Sequence, residues 1–379
     1  MSEVLSDDSS ESGDEEEPLY FGKRDSSGQP HGRGTQQWPK RGDRFEGHFC
    51  AGAKHGKGCF YFRDGSSLSG NFKDDSLEGV GLYTRDDGSQ IISQYHDGEL
   101  YGESTECSAA GNVIFKGQYK NDTRVGYCMA YDEYNAILAG NVDDSGAFSG
   151  HSIFYIYPDH IHALVGHFDD GVMVSAKAAK LDSKFTIDSK EPPPYHLLAD
   201  YKGTYTYDPS SHDTIASQPL LSDPYEQAHV CVDESTIPGA GEGLFARTNL
   251  EEGQVISFYN GTRLSHKEVD NRSWELDGNT ISLDDTCVLD VPKTFSDLAD
   301  YTASLGHKAN HSFHPNCQYD IFVHPRFGEI KCVRTLCEVN CGEELTCCYD
   351  YNHYKPDDNT ADMPEWYLKD FKNSTKNSQ

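Results

Sequence analysis

The stretch ANHSFHPNCQY, residues 309–319, gathers two His, two Asn, a Cys and a Tyr into eleven positions, a density that raises the question of a metal site. A structural zinc site needs Cys or His in pairs two to four residues apart, usually twice over. Cys332, Cys337, Cys341, Cys347 and Cys348 form no C-x-x-C pair, and no Cys follows Cys348. Zinc is therefore the weaker reading, and no metal is expected. Tyrosine offers a second kind of chemistry. SFYNG (257–261) places Tyr259 at the end of a strand-like QVISFY, and CGEELTCCYDY (341–351) carries Tyr349 and Tyr351 on an apolar run after an acidic turn. Phenol rings can wall a narrow passage while their hydroxyls hold an amine or a water, although a tyrosine placed like Tyr259 is by itself more often a packed strand aromatic. The third motif, GAGEGLFA (239–246), is built of small residues that turn tightly or let a backbone approach a ligand. It lacks the Gly-Lys-Ser/Thr of a phosphate loop, so a nucleotide reading is poor.

The elements that must position these motifs come in two kinds. Gly32, Gly56, Gly79, Gly102, Gly126 and Gly150 recur every 23 or 24 residues, and Gly47, Gly70, Gly117, Gly140 and Gly166 run in phase with them, mostly two residues before a Phe or Tyr. Asp-Gly turns fall between, as in RDG at 63–65, so each period reads as strand, turn, strand. A lone hairpin is marginal, and the copies must stack into one antiparallel sheet. The period breaks over residues 176–225, where Pro and Ser accumulate, and that segment is expected to be a junction between the repeat sheet (18–175) and a second domain beginning at residue 226. A chain of 379 residues has room for two or three domains at roughly 100–200 residues each.

The formal charge of −30 is uneven. Residues 1–17 hold eight acids and no base, and with no apolar periodicity they are expected to be disordered; residues 226–379 hold 26 acids against 13 bases. Such a surface repels nucleic acid and anionic membranes and attracts basic protein segments. No run approaches the roughly 20 apolar residues that cross a bilayer, and the acidic N-terminus is no signal peptide. An intracellular protein with free thiols is expected.

The repeats, clearest in YFRDGSSLSGNFKDDSLEGVG, resemble MORN repeats. GEGLFA, NHSFHPNC and GEELTCCYDY, in that order, resemble the SET domain of protein lysine methyltransferases, over about residues 226–351. With SFYNG, DGNTISL, SLGHKANHS, FVHPRFG and EWY, the combination is similar to the MORN-repeat lysine methyltransferases that add one methyl group to lysine 4 of histone H3. The resemblance implies a mainly β chain: a repeat sheet, then a SET fold in which the NHS-x-x-PNC loop is threaded by the ELT segment, then a short helix within 352–379 closing the cofactor pocket. It implies S-adenosylmethionine as methyl donor, held by Ala240, Gly241, Glu242, Asn279, Asn310, His311, Trp366 and Asp370. The catalytic set would be Tyr349, Tyr259, Tyr319 and His311, the last through cofactor contact or loop structure rather than as a base. Counting from Glu344-Leu345-Thr346 selects Tyr349 over Tyr351 for the transfer axis. Substrate contacts would come from His266, Asp270, Lys331 and Tyr351 together with the three channel tyrosines. Asp370 stands where the family carries Glu, Asp350 where it carries Gly, and Cys347-Cys348 where it carries a more inert pair. The expected partners are the histone H3 tail and other basic protein segments, met by a monomer in the nucleus and also in the cytoplasm. The alternative is a non-catalytic scaffold that recognises basic peptides.

Overall fold

The computed structural model describes residues 16–185, 190–273 and 276–349. Half of the described residues are β-strand, and only 5% are helix. The described residues divide into two compact units, one within residues 16–156, 167–171 and 185–193, the other within residues 157–166, 172–184 and 194–349.

In the first unit twelve strands, β1 (Leu19–Arg24) to β12 (Gly150–Ile156), follow one another in sequence order as an antiparallel sheet. The two glycine sets do different work. The periodic set from Gly32 to Gly150 all adopts positive φ. At Gly56, φ is +77°, backbone that a side chain would strain, and it lies at the irregularity where the strand pair shifts register between Gly47 and Phe49. The in-phase set provides a flat floor. A Cβ on Gly47 would fall 2.5 Å from the Phe45 ring and 2.7 Å from the Cα of Gly58 on the next strand. The inward face thus repeats large, small, large: Phe45-Gly47-Phe49, Leu68-Gly70-Phe72, Ile91-Ser93-Tyr95, Phe115-Gly117-Tyr119, with every large side chain buried. Phe45 meets Phe49 and Phe72 edge-on at centroid distances of 5.4 and 4.9 Å, which suits the ring quadrupoles. Hairpin pairing continues through β12 after the sequence motif fades, because buried aromatics and left-handed glycines persist. At the chain's start, the Glu16 carboxylate accepts the main-chain N–H groups of Lys40 and Arg41.

Strand β13 (His162–Asp169) follows, and in the second unit β14 (Val172–Leu181) pairs with the short β15 (Tyr195–Leu197) and bridges Tyr205 through Ala176. Residues 205–223 are bound closely to the body that follows. The buried guanidinium of Arg326 donates to the carbonyls of Gln218 and Leu221, both at 2.7 Å, and Tyr205 donates to the carbonyl of Ser222. Helix α1 (Pro224–His229) starts on an Asp223 cap that accepts from the N–H groups of Tyr225 and Glu226. The main sheet takes the order β16 (Val230–Glu234), β17 (Glu242–Ala246), β25 (Glu344–Cys347), β23 (Cys317–His324), β24 (Gly328–Thr335) and β18 (Val255–Tyr259), with β22 (Asn310–His311) set parallel on β25. A three-stranded sheet, β19 (Thr262–Leu264), β21 (Val288–Asp290) and β20 (Thr280–Ser282), accompanies helix α2 (His266–Asp270). Leu244, Ile256, Leu305, Ala309, Cys317, Val333, Leu345 and Cys347 meet in one apolar core.

Candidate active site

Strand β25 arrives late in the chain yet lies inside the sheet, antiparallel to β17 on one side and parallel to β22 and the start of β23 on the other. The loop between β22 and β23 holds it there. Asn316 donates from Nδ2 to the carbonyl of Glu344 and accepts at Oδ1 from the N–H of Thr346, each at 2.8 Å, while the Ser312 N–H donates to the carbonyl of Cys347. This is the threading that NHS-x-x-PNC suggested. The Asn316 side chain takes the place of a ladder partner for β25.

Three phenols converge beside that crossing. Tyr259 ends β18 and is buried; its ring stands edge-on to Tyr319 at 5.9 Å. Tyr319, on β23, points its hydroxyl toward the carbonyls of Gly306 and Ala309, at 3.3 and 3.4 Å. Tyr349 donates to the same Ala309 carbonyl at 3.0 Å. A phenol whose proton is directed at a carbonyl can act toward an amine only as an acceptor, through its oxygen. Burial pushes the Tyr319 phenol well above its ordinary range, so it stays protonated. His311 packs against Tyr349, with centroids 5.2 Å apart, and its Nδ1 accepts the Tyr349 N–H at 3.1 Å. That bond puts the ring proton of neutral His311 on Nε2 and leaves Nδ1 engaged with main chain, which is an orienting role.

A second group of polar residues adjoins it. Asn310 donates from Nδ2 to Ser235 Oγ, the Glu242 carbonyl and Glu344 Oε1, at 3.0–3.1 Å. Burial raises the Glu344 carboxyl, but hydrogen bonds from Ser235, Thr236 and Asn310 more than offset this and leave it below its usual range. Lys308, itself buried, pairs with the Glu242 carboxylate and the Ser296 carbonyl. Gly241 has φ +77°, and among the described residues nothing lies within 4 Å of where its Cβ would stand, which leaves room for a ligand beside this turn. Asn279 lies half-buried just before β20, its carbonyl accepting from Val291. His266 and Asp270 share helix α2, where the His266 ring donates to the Asp284 carbonyl. Lys331 stands opposite Tyr259 in the β18–β24 pair. The structure thus gathers Tyr259, Tyr319, Tyr349, His311 and Asn310, and links Asn310 to Glu242. Tyr351, Trp366, Asp370, Asp350 and the segment expected to form a closing helix lie outside the described residues. Among the described residues, the side chains whose ligating atoms lie close enough to share an ion are Glu78, His96 and Asp97, in the repeat sheet, not those of the 309–319 stretch. All twelve cysteines are free thiols.

Residue reasoning missed Lys308, Asn316 as a strand clasp, and Glu226. The last is buried in α1 and accepts at Oε1 from Ser257 Oγ and from the N–H groups of Phe258 and Leu305. Asp-Pro-Tyr-Glu reads locally as a helix start, and nothing nearby in sequence shows that the carboxyl turns inward. Burial, only partly offset by those bonds, pushes its pKa up to about 8. The folded form therefore keeps a proton that the unfolded chain loses near the ordinary value of 4.5. Stability from this group is fully present below pH 4.5 and is lost as pH rises through 8. Glu226→Gln removes that dependence. Urea titrations should show the variant gaining on wild type between pH 5 and pH 8, by on the order of 3 kcal/mol at pH 7; an unchanged difference across that range would count against it.

The fold and this arrangement define a SET-domain protein carrying a MORN-repeat sheet. Residues 26–42, 45–67 and 69–90 match the MORN repeat, residues 119–191 match the histone H3 K4-specific methyltransferase SET7 N-terminal family, and residues 241–350 match the SET domain. A curated relative from Halocynthia roretzi, named histone-lysine N-methyltransferase SETD7, is 47% identical over 363 residues, covering 93% of this chain and 92% of its own length. The chain belongs to the SETD7 family of histone-lysine N-methyltransferases.

Proposed function

We propose that this protein transfers one methyl group from S-adenosylmethionine to lysine 4 of histone H3, and to lysines in other basic protein segments, through a channel walled by Tyr259, Tyr319 and Tyr349. The observation that carries this reading is the convergence of the three phenols beside the 306–309 carbonyls, next to the crossing of β22 and β25. S-adenosylmethionine, when bound, supplies an electrophilic methyl group on a sulfonium. The residues present suit it. The 240–242 backbone and the Asn310 and His311 segment would hold it, joined by Asn279, Trp366 and Asp370.

The amine must attack as a neutral lone pair. Lysine has a pKa of roughly 10.4, so deprotonating it at pH 7 costs on the order of 4.6 kcal/mol. A dry aromatic channel lowers that pKa by refusing the charged form. Phenol oxygens whose protons are engaged accept the amine's N–H groups and aim its lone pair, and such alignment is worth roughly 7–11 kcal/mol. Hydroxyls that fill the remaining space with water leave no productive place for a methylated product, so one methyl is the outcome. His266, Asp270 and Lys331 would contact the peptide, with Asp270 pairing a basic flanking residue. The acidic surface supports a basic protein partner rather than direct nucleic acid contact, and a monomer working at chromatin, and also in the cytoplasm, is the setting we infer.

The test is incubation of the purified protein with labelled S-adenosylmethionine and a histone H3 tail peptide, read by mass spectrometry. A single added methyl group at lysine 4 is expected. Folded protein that transfers nothing, or adds two or three groups, would overturn the reading.

A further inference from the structure

A glutamate in the first turn of a helix ordinarily folds back to cap the helix's own N-terminus. In α1 that task falls to Asp223, and the Glu226 side chain leaves the helix for the core. Three donors from two distant segments meet on its Oε1: Ser257 Oγ and the Phe258 N–H at 2.8 Å from β18, and the Leu305 N–H at 2.9 Å. Among the described residues the other oxygen, Oε2, is buried with no hydrogen-bond partner, so the group is organised around one oxygen shared between two segments. What those segments carry gives the contact its meaning. Tyr259 follows Phe258 directly, and Gly306, which follows Leu305, offers the carbonyl that Tyr319 addresses. The segments are pressed together at this point. A Cβ on Gly306 would lie 2.7 Å from the Phe258 carbonyl oxygen and 3.0 Å from Tyr259 Cβ. Ser304 adds a second tie, accepting the Asn260 N–H at 3.1 Å.

We propose that Glu226 is a positioning residue for methyl transfer: its buried carboxyl bridges β18 to the 305–309 turn and so sets the spacing between the Tyr259 ring and the carbonyls on which Tyr319 and Tyr349 rest. This inference rests on the reading of the tyrosines as the lysine channel. Glu226 touches none of the three rings' hydroxyls; it acts through the backbone that carries them. A bridge of this kind is set by an acceptor of the right reach, not by charge. Glutamine therefore serves in its place and a branched apolar side chain does not.

The experiment compares wild type with Glu226→Gln, Glu226→Leu and Ser257→Ala. It reads kcat and KM for peptide, cofactor affinity by calorimetry, and tyrosine ring resonances in protein labelled with carbon-13 tyrosine. Glu226→Leu is expected to lower kcat by about thirtyfold or more, in the range for a misaligned reacting group, with cofactor affinity within about threefold of wild type. Glu226→Gln is expected to keep kcat within about threefold. A folded Glu226→Leu with undiminished kcat would overturn the proposal, and so would a Glu226→Gln as slow as the leucine variant. If the leucine variant does not fold, Ser257→Ala decides: the loss of one of three donors should lower kcat by about three- to tenfold, and an unchanged kcat overturns the bridge. Should wild type transfer no methyl group at all, the channel reading fails instead. The bridge is then judged by the resonances of Tyr259 and Tyr319, which should move in Glu226→Leu and stay in place in Glu226→Gln.

Discussion

Tyr349→Phe is expected to lower kcat about a hundredfold while leaving cofactor affinity within about threefold of wild type, a loss of roughly 2.7 kcal/mol in transition-state stabilisation. The substitution removes one oxygen and keeps the ring. The Ala309 carbonyl loses its 3.0 Å donor, and the channel loses the oxygen nearest the proposed transfer axis. Packing against His311, and the Tyr349 N–H bond to His311 Nδ1, depend on ring and backbone and survive. The fold should therefore lose only about 1 kcal/mol, the net worth of an ordinary hydrogen bond. Steady-state kinetics with the H3 peptide, paired with calorimetric titration of S-adenosylmethionine, separate the two effects. A phenylalanine variant within threefold of wild-type kcat would remove Tyr349 from the chemistry.

Asn316→Ala should cost more in stability than any single surface change, because one side chain satisfies two main-chain groups of β25. Truncation strands the Glu344 carbonyl and the Thr346 N–H, both now bonded at 2.8 Å. Each orphaned group costs about 1–3 kcal/mol, so a loss of about 2–5 kcal/mol is expected in a urea titration. Activity should fall with it, since β25 leads directly to Tyr349, and should return in part at lower temperature, where the strand reseats. Asn316→Asp keeps the acceptor for Thr346 and loses the donor to Glu344, so it should fall about midway. An alanine variant with wild-type stability would mean that the loop merely passes near the strand without holding it.

Glu226 illustrates a different limit. Its importance, as we infer it, lies in joining Phe258 to Leu305, residues 32 and 79 positions away. No window of sequence around Asp-Pro-Tyr-Glu contains that information. Lys308 is similar. A lysine beside two histidines in SLGHKANHS reads as surface charge, yet it is buried because Glu242, 66 positions earlier, receives it.

The sequence by itself determined the repeat sheet, because its cause is local. A glycine every 23 or 24 residues supplies a left-handed φ, a second in-phase set leaves room for neighbouring rings, and alternation along each strand assigns the inward face. It also marked the stretches that meet in the site, since Tyr259, Asn310, His311, Tyr319 and Tyr349 lie in short motifs of unusual composition. The order of the SET strands was decided only in three dimensions, where β25 inserts between β17 and β23 although it comes last among the described strands. So were the buried ties of Glu226, Lys308 and Asn316. Local pattern reports what a residue does to its own backbone. A buried polar group answers to the partner that lets it leave water, and that partner can sit anywhere in the chain.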